Sequence, residues 1–568
     1  MYLMDFKYEA ASIVAGAAGL DVNDIKDYVE VPAKPEMGDY AFPCFRLAKV
    51  MRKAPNMIAA EIAEKITDKG VFSKIEPVAA YINFFTDKSA YAAEVMKKIA
   101  SDGENYGSLA DGSGKTIVID YSSPNIAKPF HVGHLRSTVI GGALYRIFEK
   151  LGYKCVGINH LGDWGTQFGK LIEAYKLWGS KEEVEEKGIS ELTSIYVKFH
   201  EEAEKDPSLD DRARAWFVKM QDGDEEALSL WKWFYDISIK EFERVYEKLG
   251  VKFDYYTGES FYNDKMAAIV QELKDKNLLT ESNGAMIVDL EDAKMPPCLI
   301  IRTDGGTLYA TRDITAAIYR KNTYDFDKCL YVTAIDQNLH FAQWFKVIEK
   351  MGYDWAKDLV HVPFGLVSLE DGKLSTRKGK VVLMEDLLDE AVKKTMGIIN
   401  DKNPDLPGKE EVAKQVGIGA VIFDDLYNGR IKDIVFSWDR MLNFDGETGP
   451  YVQYTHARAC SVLKKAGGAP DMAKVDFSAL TDDASVDVIK ILESYPAKIR
   501  EAASRYEPSV VARYLVDLAQ AFNKFYHDNV ILCDDERPRS ARLAAVEAVR
   551  TVLKSGLALL GIKAPERM

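Results

Sequence analysis

Hydrophobic and polar positions change period along the chain, and the changes mark its elements. A helical pattern runs through Asn56–Lys65, and Tyr81-Ile82-Asn83-Phe84-Phe85 alternates as a strand does. The turn-rich stretch Asp111–Gly114 predicts a boundary. After it, the apolar run Thr116–Asp120 predicts a strand, Gly133–Leu151 a helix and Cys155–Asn159 a second strand. Strand, crossover helix and strand form a βαβ unit, and hence a parallel, doubly wound sheet. Trp164 to about Leu249 keeps a helical period and reads as an insertion. Strand signals return at Ala285–Leu290, Pro297–Arg302, Cys329–Ala334 and Val362–Val367, and predict the second half of the same sheet.

From about Lys409 the pattern is helical. Beyond Pro508, which suits a first helical position, Val511, Leu515, Leu518, Phe522, Phe525 and Tyr526 share one face. The predicted organisation is an α+β domain over 1–110, an α/β Rossmann-like domain with a doubly wound parallel sheet over 111–408, and an all-α bundle over 409–568. The middle domain carries its helical insertion at about 164–250.

The 568 residues are 47% hydrophobic, enough for several cores and against a disordered chain. Lys and Arg number 74 against 88 Asp and Glu, a net charge of −14, which excludes a globally basic nucleic-acid coat. The last 128 residues hold 17 basic and 17 acidic side chains, so any basic face belongs there rather than on the acidic body. Six cysteines, no two closer than 31 positions, form no zinc spacing and predict reduced thiols. The apolar stretch Ile13–Leu20 follows Asp5 and Glu9 instead of a basic flank, and no run approaches the ~18 residues of a membrane span. A soluble, cytoplasmic protein is expected.

Gly112-Ser113-Gly114-Lys115-Thr116 imitates the end of a phosphate-binding P-loop, but Leu109 stands where that loop needs glycine and a strand follows. The stronger signal is Asp120-Tyr121-Ser122-Ser123-Pro124-Asn125-Ile126-Ala127-Lys128-Pro129-Phe130-His131-Val132-Gly133-His134. It lies between the first strand and its helix, where open α/β sheets bind ligands. His131 and His134 share a face near a helix N-terminus, which favours phosphate, and two imidazoles there can donate to developing charge. Gly133 removes a Cβ and allows a base or ribose to approach the backbone. A two-histidine metal site would lack a nearby third ligand.

His131-Val132-Gly133-His134 resembles the HIGH signature of class I aminoacyl-tRNA synthetases. Ser122–Phe130, Leu135-Arg136-Ser137-Thr138, Gly162-Asp163-Trp164-Gly165, Tyr309-Ala310-Thr311-Arg312-Asp313, Asp336–His340, Thr448-Gly449-Pro450-Tyr451 and Ala564–Met568 resemble the arginyl-tRNA synthetases over the whole chain. Lys373-Leu374-Ser375-Thr376-Arg377-Lys378 stands where the class carries KMSKS, with Thr376 in place of its second lysine and Arg377 in place of its final serine. Lys373, Arg377, Lys378 and Lys128 compete for the pyrophosphate, and Gly372 and Gly379 supply hinges.

The resemblance implies further roles. His131, His134, Lys128, Lys373 and Lys378 would serve catalysis, and Pro124, Val132, Gly133, Ser375, Asp336 and His340 would join them around ATP. A guanidinium is planar, charged and fork-donating, so its pocket needs carboxylates. Asp120 and Asp313 suit that need, beside Tyr309, with Ser122, Asn125, His134 and Gln337 toward the rest of the amino acid. Asn83 in the first domain, expected to contact the tRNA D-loop, and Tyr451, Gln453, Tyr454 and Arg458 in the anticodon-binding bundle would face tRNA. Val78-Ala79-Ala80 replaces the usual Gly-Pro-Gly before the first of these.

The implied function is an arginine–tRNA ligase: arginine is activated with Mg2+-ATP as arginyl-adenylate, then transferred to the terminal adenosine of tRNA. No tightly bound cofactor and no resident metal are implied. The family expectation is a monomer that activates arginine only with tRNA bound. The rival is a tRNA-binding relative without chemistry.

Overall fold

Thr116–Asp120 (β1), Lys154–Asn159 (β2), Tyr255–Tyr256 (β3), Lys328–Ala334 (β4) and Leu359–Phe364 (β5) form one sheet in the order β5-β4-β1-β2-β3. Every pairing in it is parallel. The computed structural model describes residues 6–32, 34–303, 305–369, 372–373 and 382–568. Ile117, Val118 and Ile119 of β1 are buried, as the covered middle strand of a parallel sheet requires. The helix Leu135–Lys150 (α1) joins β1 to β2 on one side, while β4 pairs with β1 on the other. The strand order therefore reverses between β1 and β4, and a crevice opens beyond their carboxyl ends.

Two strand signals belong elsewhere. Ala285–Val288 and Cys298–Ile301 join Leu279–Ser282 in a separate antiparallel sheet rather than completing the parallel one. Val367–Leu369, just past β5, pairs with Ile434–Phe436, a short strand inside the region expected to be all helical. The insertion is helical throughout, from Thr166–Trp178 to the long helix Glu225–Leu249. Helix Ser509–Asp528 buries Val511, Leu515, Leu518, Phe522 and Phe525, but Tyr526 stands 42% exposed, off the apolar face.

The chain divides into two compact units, 1–106 with 458–495 and 517–552, and 107–457 with 496–516 and 553–568. The first contains an antiparallel sheet with Tyr81–Thr86 between Tyr40–Pro43 and Phe72–Val78. Its core gathers Phe6, Tyr40, Phe72 and Tyr91, and Tyr106 donates to the Leu492 carbonyl at 2.9 Å. The second contains the parallel sheet. All six cysteines are free thiols. No helix among the described residues is long and apolar enough to cross a membrane.

Candidate active site

β1 ends at Asp120, and the backbone then passes through three left-handed residues that are not glycine: Ser122 (φ 73°), Ser123 (φ 50°) and Ala127 (φ 58°). Each costs on the order of 1–3 kcal/mol and survives only where its surroundings enforce it. Here they do. The Ser122 amide donates to Ser137 Oγ (2.8 Å), which donates to the Val332 carbonyl of β4 (2.6 Å). The Ser123 amide donates to Asn159 Oδ1 (3.1 Å), and the Ala127 amide to Ser238 Oγ (2.9 Å). The Tyr246 hydroxyl lies 2.9 Å from both Ser122 Oγ and Asn159 Nδ2. Ser238 and Tyr246 both come from the inserted helix, so the insertion braces the loop.

Asn125 faces Gly162 across a single parallel bridge. A Cβ on Gly162 would sit 2.0 Å from Asn125 Oδ1, so a side chain there would displace the Asn125 amide.

His131 and His134 form a reciprocal cap. The Gly133 amide donates to His131 Nδ1 (3.0 Å), and the His131 amide donates to His134 Nδ1 (3.2 Å). Their ring centroids lie 4.0 Å apart. Because each Nδ1 accepts, each neutral ring carries its hydrogen on Nε2, ready to donate. Burial, with Lys128 nearby, lowers the His131 pKa. Burial and the neighbouring His131 lower that of His134 to about 3. Both rings are neutral near pH 7. Gly133 is required for a second reason, since a Cβ would lie 2.7 Å from the His131 ring.

The histidine segment also pairs with residues 382–384. The Val132 amide donates to the Val382 carbonyl (3.1 Å), the Met384 amide donates to the Phe130 carbonyl (2.9 Å), and His131 bridges Leu383. Gly372–Lys373 pairs with Val367–Leu369. Ser375, Thr376, Arg377 and Lys378 lie outside the described residues, as does the Lys373 side chain. Two residues after His134, Arg136 is 1% exposed. It donates to the carbonyls of Gly365 (3.0 Å) and Lys432 (2.7 Å), and its Nε lies 3.3 Å from Asp425. One guanidinium thus joins α1, the end of β5 and the segment before Ile434–Phe436. Burial raises the Asp425 pKa to about 6 against the opposing pull of Arg136.

Across the crevice, β4 leads through Ile335–Gln337 into the helix Asn338–Lys350 (α3). Asp336 and Gln337 are exposed. His340, expected beside ATP, instead puts Nε2 at 2.6 Å from Asp313 Oδ2. Asp313 stands in the second turn of the helix Tyr309–Tyr324 (α2), whose first residue, Tyr309, is 67% exposed.

The carboxylates nearby have partners of their own. Asp120 is nearly buried, with Oδ2 at 2.7 Å from Arg320 and Oδ1 accepting from Ser123 Oγ (2.9 Å). Its charge is balanced inside the protein, a correction to its expected exposure toward a ligand. Arg312 pairs with Glu259 at 3.1 Å, whose pKa burial raises to about 7. Asp163 accepts from the amide (2.8 Å) and hydroxyl (2.7 Å) of Ser260. Among the carboxylates described around the crevice, Asp120 and Glu259 meet arginines, Asp163 meets the amide and hydroxyl of Ser260, and Asp313 meets an imidazole.

Pro124, Val132 and Ser122 are buried rather than lining the crevice, while Asn125, Lys128 and Gly133 are exposed. Three expected tRNA contacts are likewise placed by the packing. Asn83 is buried between two strands, and Gln453 is fully buried, donating to the Gln415 (3.0 Å) and Lys563 (2.7 Å) carbonyls. Arg458 is half-buried against Asn523 and the Tyr526 ring. Tyr454 is exposed. Arg136, Arg312, Arg320, Glu259 and Asp425 were invisible as site residues, because each acts through a distant partner.

The described geometry agrees with three family descriptions. Residues 95–438 match the catalytic domain of class I tRNA synthetases (R), 6–86 the arginyl tRNA synthetase N-terminal domain, and 452–568 the DALR anticodon binding domain. The chain belongs to the arginyl-tRNA synthetase family. An arginine–tRNA ligase of Alkaliphilus metalliredigens is 58% identical to this synthetase over 567 residues, all of both chains. One of Clostridioides difficile is 58% identical over 549 residues, 97% of each. The crystal structure of arginyl-tRNA synthetase from Plasmodium falciparum superposes with a TM-score of 0.82 at 26% identity, covering both chains completely. Like its family, this synthetase is a class I ligase.

Proposed function

We propose that the chain activates L-arginine with Mg2+-ATP and transfers the arginyl group to the 3′-terminal adenosine of its tRNA. The observation that carries this is the presence, around one crevice, of two neutral imidazoles at the end of β1 and of Asp313, a carboxylate that meets an imidazole rather than an arginine. In the first step the arginine carboxylate attacks the α-phosphorus. A new P–O bond forms, the bond to pyrophosphate breaks, and arginyl-adenylate results. Nε2–H of His131 and His134 donates to the phosphate oxygens, and Lys128, Lys373 and Lys378 stabilise the leaving pyrophosphate. In the second step a ribose hydroxyl of the terminal adenosine attacks the acyl carbon and AMP leaves. Catalysis is positioning and charge stabilisation, without a protein nucleophile.

Asp313 takes the substrate guanidinium beside Tyr309, and Asn125 and Gln337 hold the α-amino and carboxylate end. Asp120, its charge balanced by Arg320, and the buried Ser122 support the pocket from beneath. Asp336 lies toward the ribose of ATP. Tyr451 and Tyr454 stack on tRNA, while Gln453 holds its local structure. Residues 1–110 serve the tRNA D-loop, 111–408 the chemistry and 409–568 the anticodon, in a cytoplasmic monomer.

The test is ATP–pyrophosphate exchange against a panel of amino acids, with and without arginine-accepting tRNA. Exchange with arginine alone is expected, and only with tRNA present. Exchange with another amino acid would overturn the specificity. Silence throughout, in a folded protein that binds tRNA, would overturn the chemistry.

A further inference from the structure

We infer that His340 is a positioning residue for arginine recognition: its imidazole holds the Asp313 carboxylate in the orientation that receives the substrate guanidinium. The inference rests on Asp313 as the guanidinium acceptor, and it moves His340 from the ATP side of the crevice to the amino-acid side. Its Nε2 lies 2.6 Å from Asp313 Oδ2. An ionised carboxylate only accepts, so Nε2–H donates. Oδ1, together with the remaining lone pair of Oδ2, stays available for a forked donor.

The arrangement answers a specific problem. Asp313 is on α2, and a short carboxylate on a helix surface moves among staggered rotamers. A mobile acceptor must lose that freedom when it clamps a guanidinium, which weakens binding. His340 reaches across from α3, and Phe341 beside it packs flat on His361 with ring centroids 4.4 Å apart. His361 is tied in turn to Thr333 of β4 at 2.8 Å. The sheet therefore supports the residue that supports Asp313. The partner's charge matters as well. Asp120 and Glu259 each pair with an internal arginine, which offsets their attraction for a cationic ligand. His340 instead fixes Asp313 through a single N–H, without the permanent charge that an arginine brings.

The test uses the full-length protein with tRNA and measures KM for arginine and for ATP separately in pyrophosphate exchange. His340→Gln keeps a neutral N–H donor near the Nε2 position, His340→Leu removes the donor, and His340→Asn keeps a donor on a stem too short to reach. His340→Leu and His340→Asn are expected to raise the arginine KM about 10- to 100-fold, as for losing a hydrogen bond to a charged group. The ATP KM should stay within about twofold, and His340→Gln should restore most of the arginine KM. A rise confined to the ATP KM would return His340 to the nucleotide and overturn the inference. An unchanged arginine KM in both His340→Leu and His340→Asn would also overturn it. Asp313→Asn is measured in parallel. If it leaves the arginine KM unchanged, the assignment of the pocket itself fails; if it raises it while His340→Leu does not, only the role of His340 fails. If His340→Leu does not fold, the contrast between His340→Gln and His340→Asn decides.

Discussion

Replacing Arg136 by methionine isolates the buried cation that joins the histidine segment to the end of β5. In the native protein its guanidinium lies against Asp425 and donates to two carbonyls, all in the interior. Arg136→Met leaves Asp425 as an uncompensated buried carboxylate, and breaking such a pair costs about 3–5 kcal/mol. The cost depends on pH with a definite sign. Asp425 has a folded pKa of about 6, above the ordinary aspartate value of 3.8, so the native state binds the proton more tightly. Its unfavourable contribution is absent below about pH 4 and complete above about pH 6. Removing Arg136 raises that pKa further. At pH 8 the full cost should be present. At pH 5 the carboxyl is protonated in the variant, leaving about 1–3 kcal/mol for the carbonyls that lose a donor. Urea denaturation followed by near-ultraviolet circular dichroism at both pH values, on wild type and variant, gives the comparison. A variant equally destabilised at pH 5 and pH 8, or by less than about 1 kcal/mol at pH 8, would refute the account of this pair.

His134→Ala should lower the rate of arginine-dependent pyrophosphate exchange by about 10²–10³, and a near-normal rate would remove His134 from the mechanism. Since burial lowers the pKa of both histidines, and that of His134 to about 3, the exchange rate should show no step from His134 between pH 6 and 8. A step in that range that disappears in His134→Ala would contradict this. Gly162→Ala drives a methyl group into Asn125 Oδ1 and should reduce exchange by at least about tenfold while the thermal midpoint changes little. An unimpaired rate would show that Asn125 does not hold the substrate.

The local parts of this site were legible before the structure. His131-Val132-Gly133-His134 could be placed because the strand and helix flanking it have clear periods, and the ligand position follows from sheet topology. Strands were legible as strands, but Ala285–Val288 and Cys298–Ile301 fell in a different sheet because alternation says nothing about pairing partners. Long-range pairs left no trace. Arg136 meets Asp425, Asp120 meets Arg320 and His340 meets Asp313 only after helices and strands pack. Gln453 and Asn83 misled for a related reason. An amide among aromatics reads as surface chemistry, yet for Gln453 two backbone carbonyls from distant segments are its partners.

The helix Glu225–Leu249 bears on any attempt to reduce this protein to a minimal catalytic core. Its Ser238 and Tyr246 hold the loop that follows β1 in its left-handed course. Excising 166–249 would leave Ser137 and Asn159 on the Ser122 and Ser123 amides but would remove the acceptor of the Ala127 amide and the hydroxyl between Ser122 and Asn159, freeing Ala127 to relax toward ordinary backbone angles and carry Lys128 with it. A shortened enzyme would have to supply those two hydroxyls from another scaffold, or rebuild the turn with residues that adopt it unaided, glycine first among them.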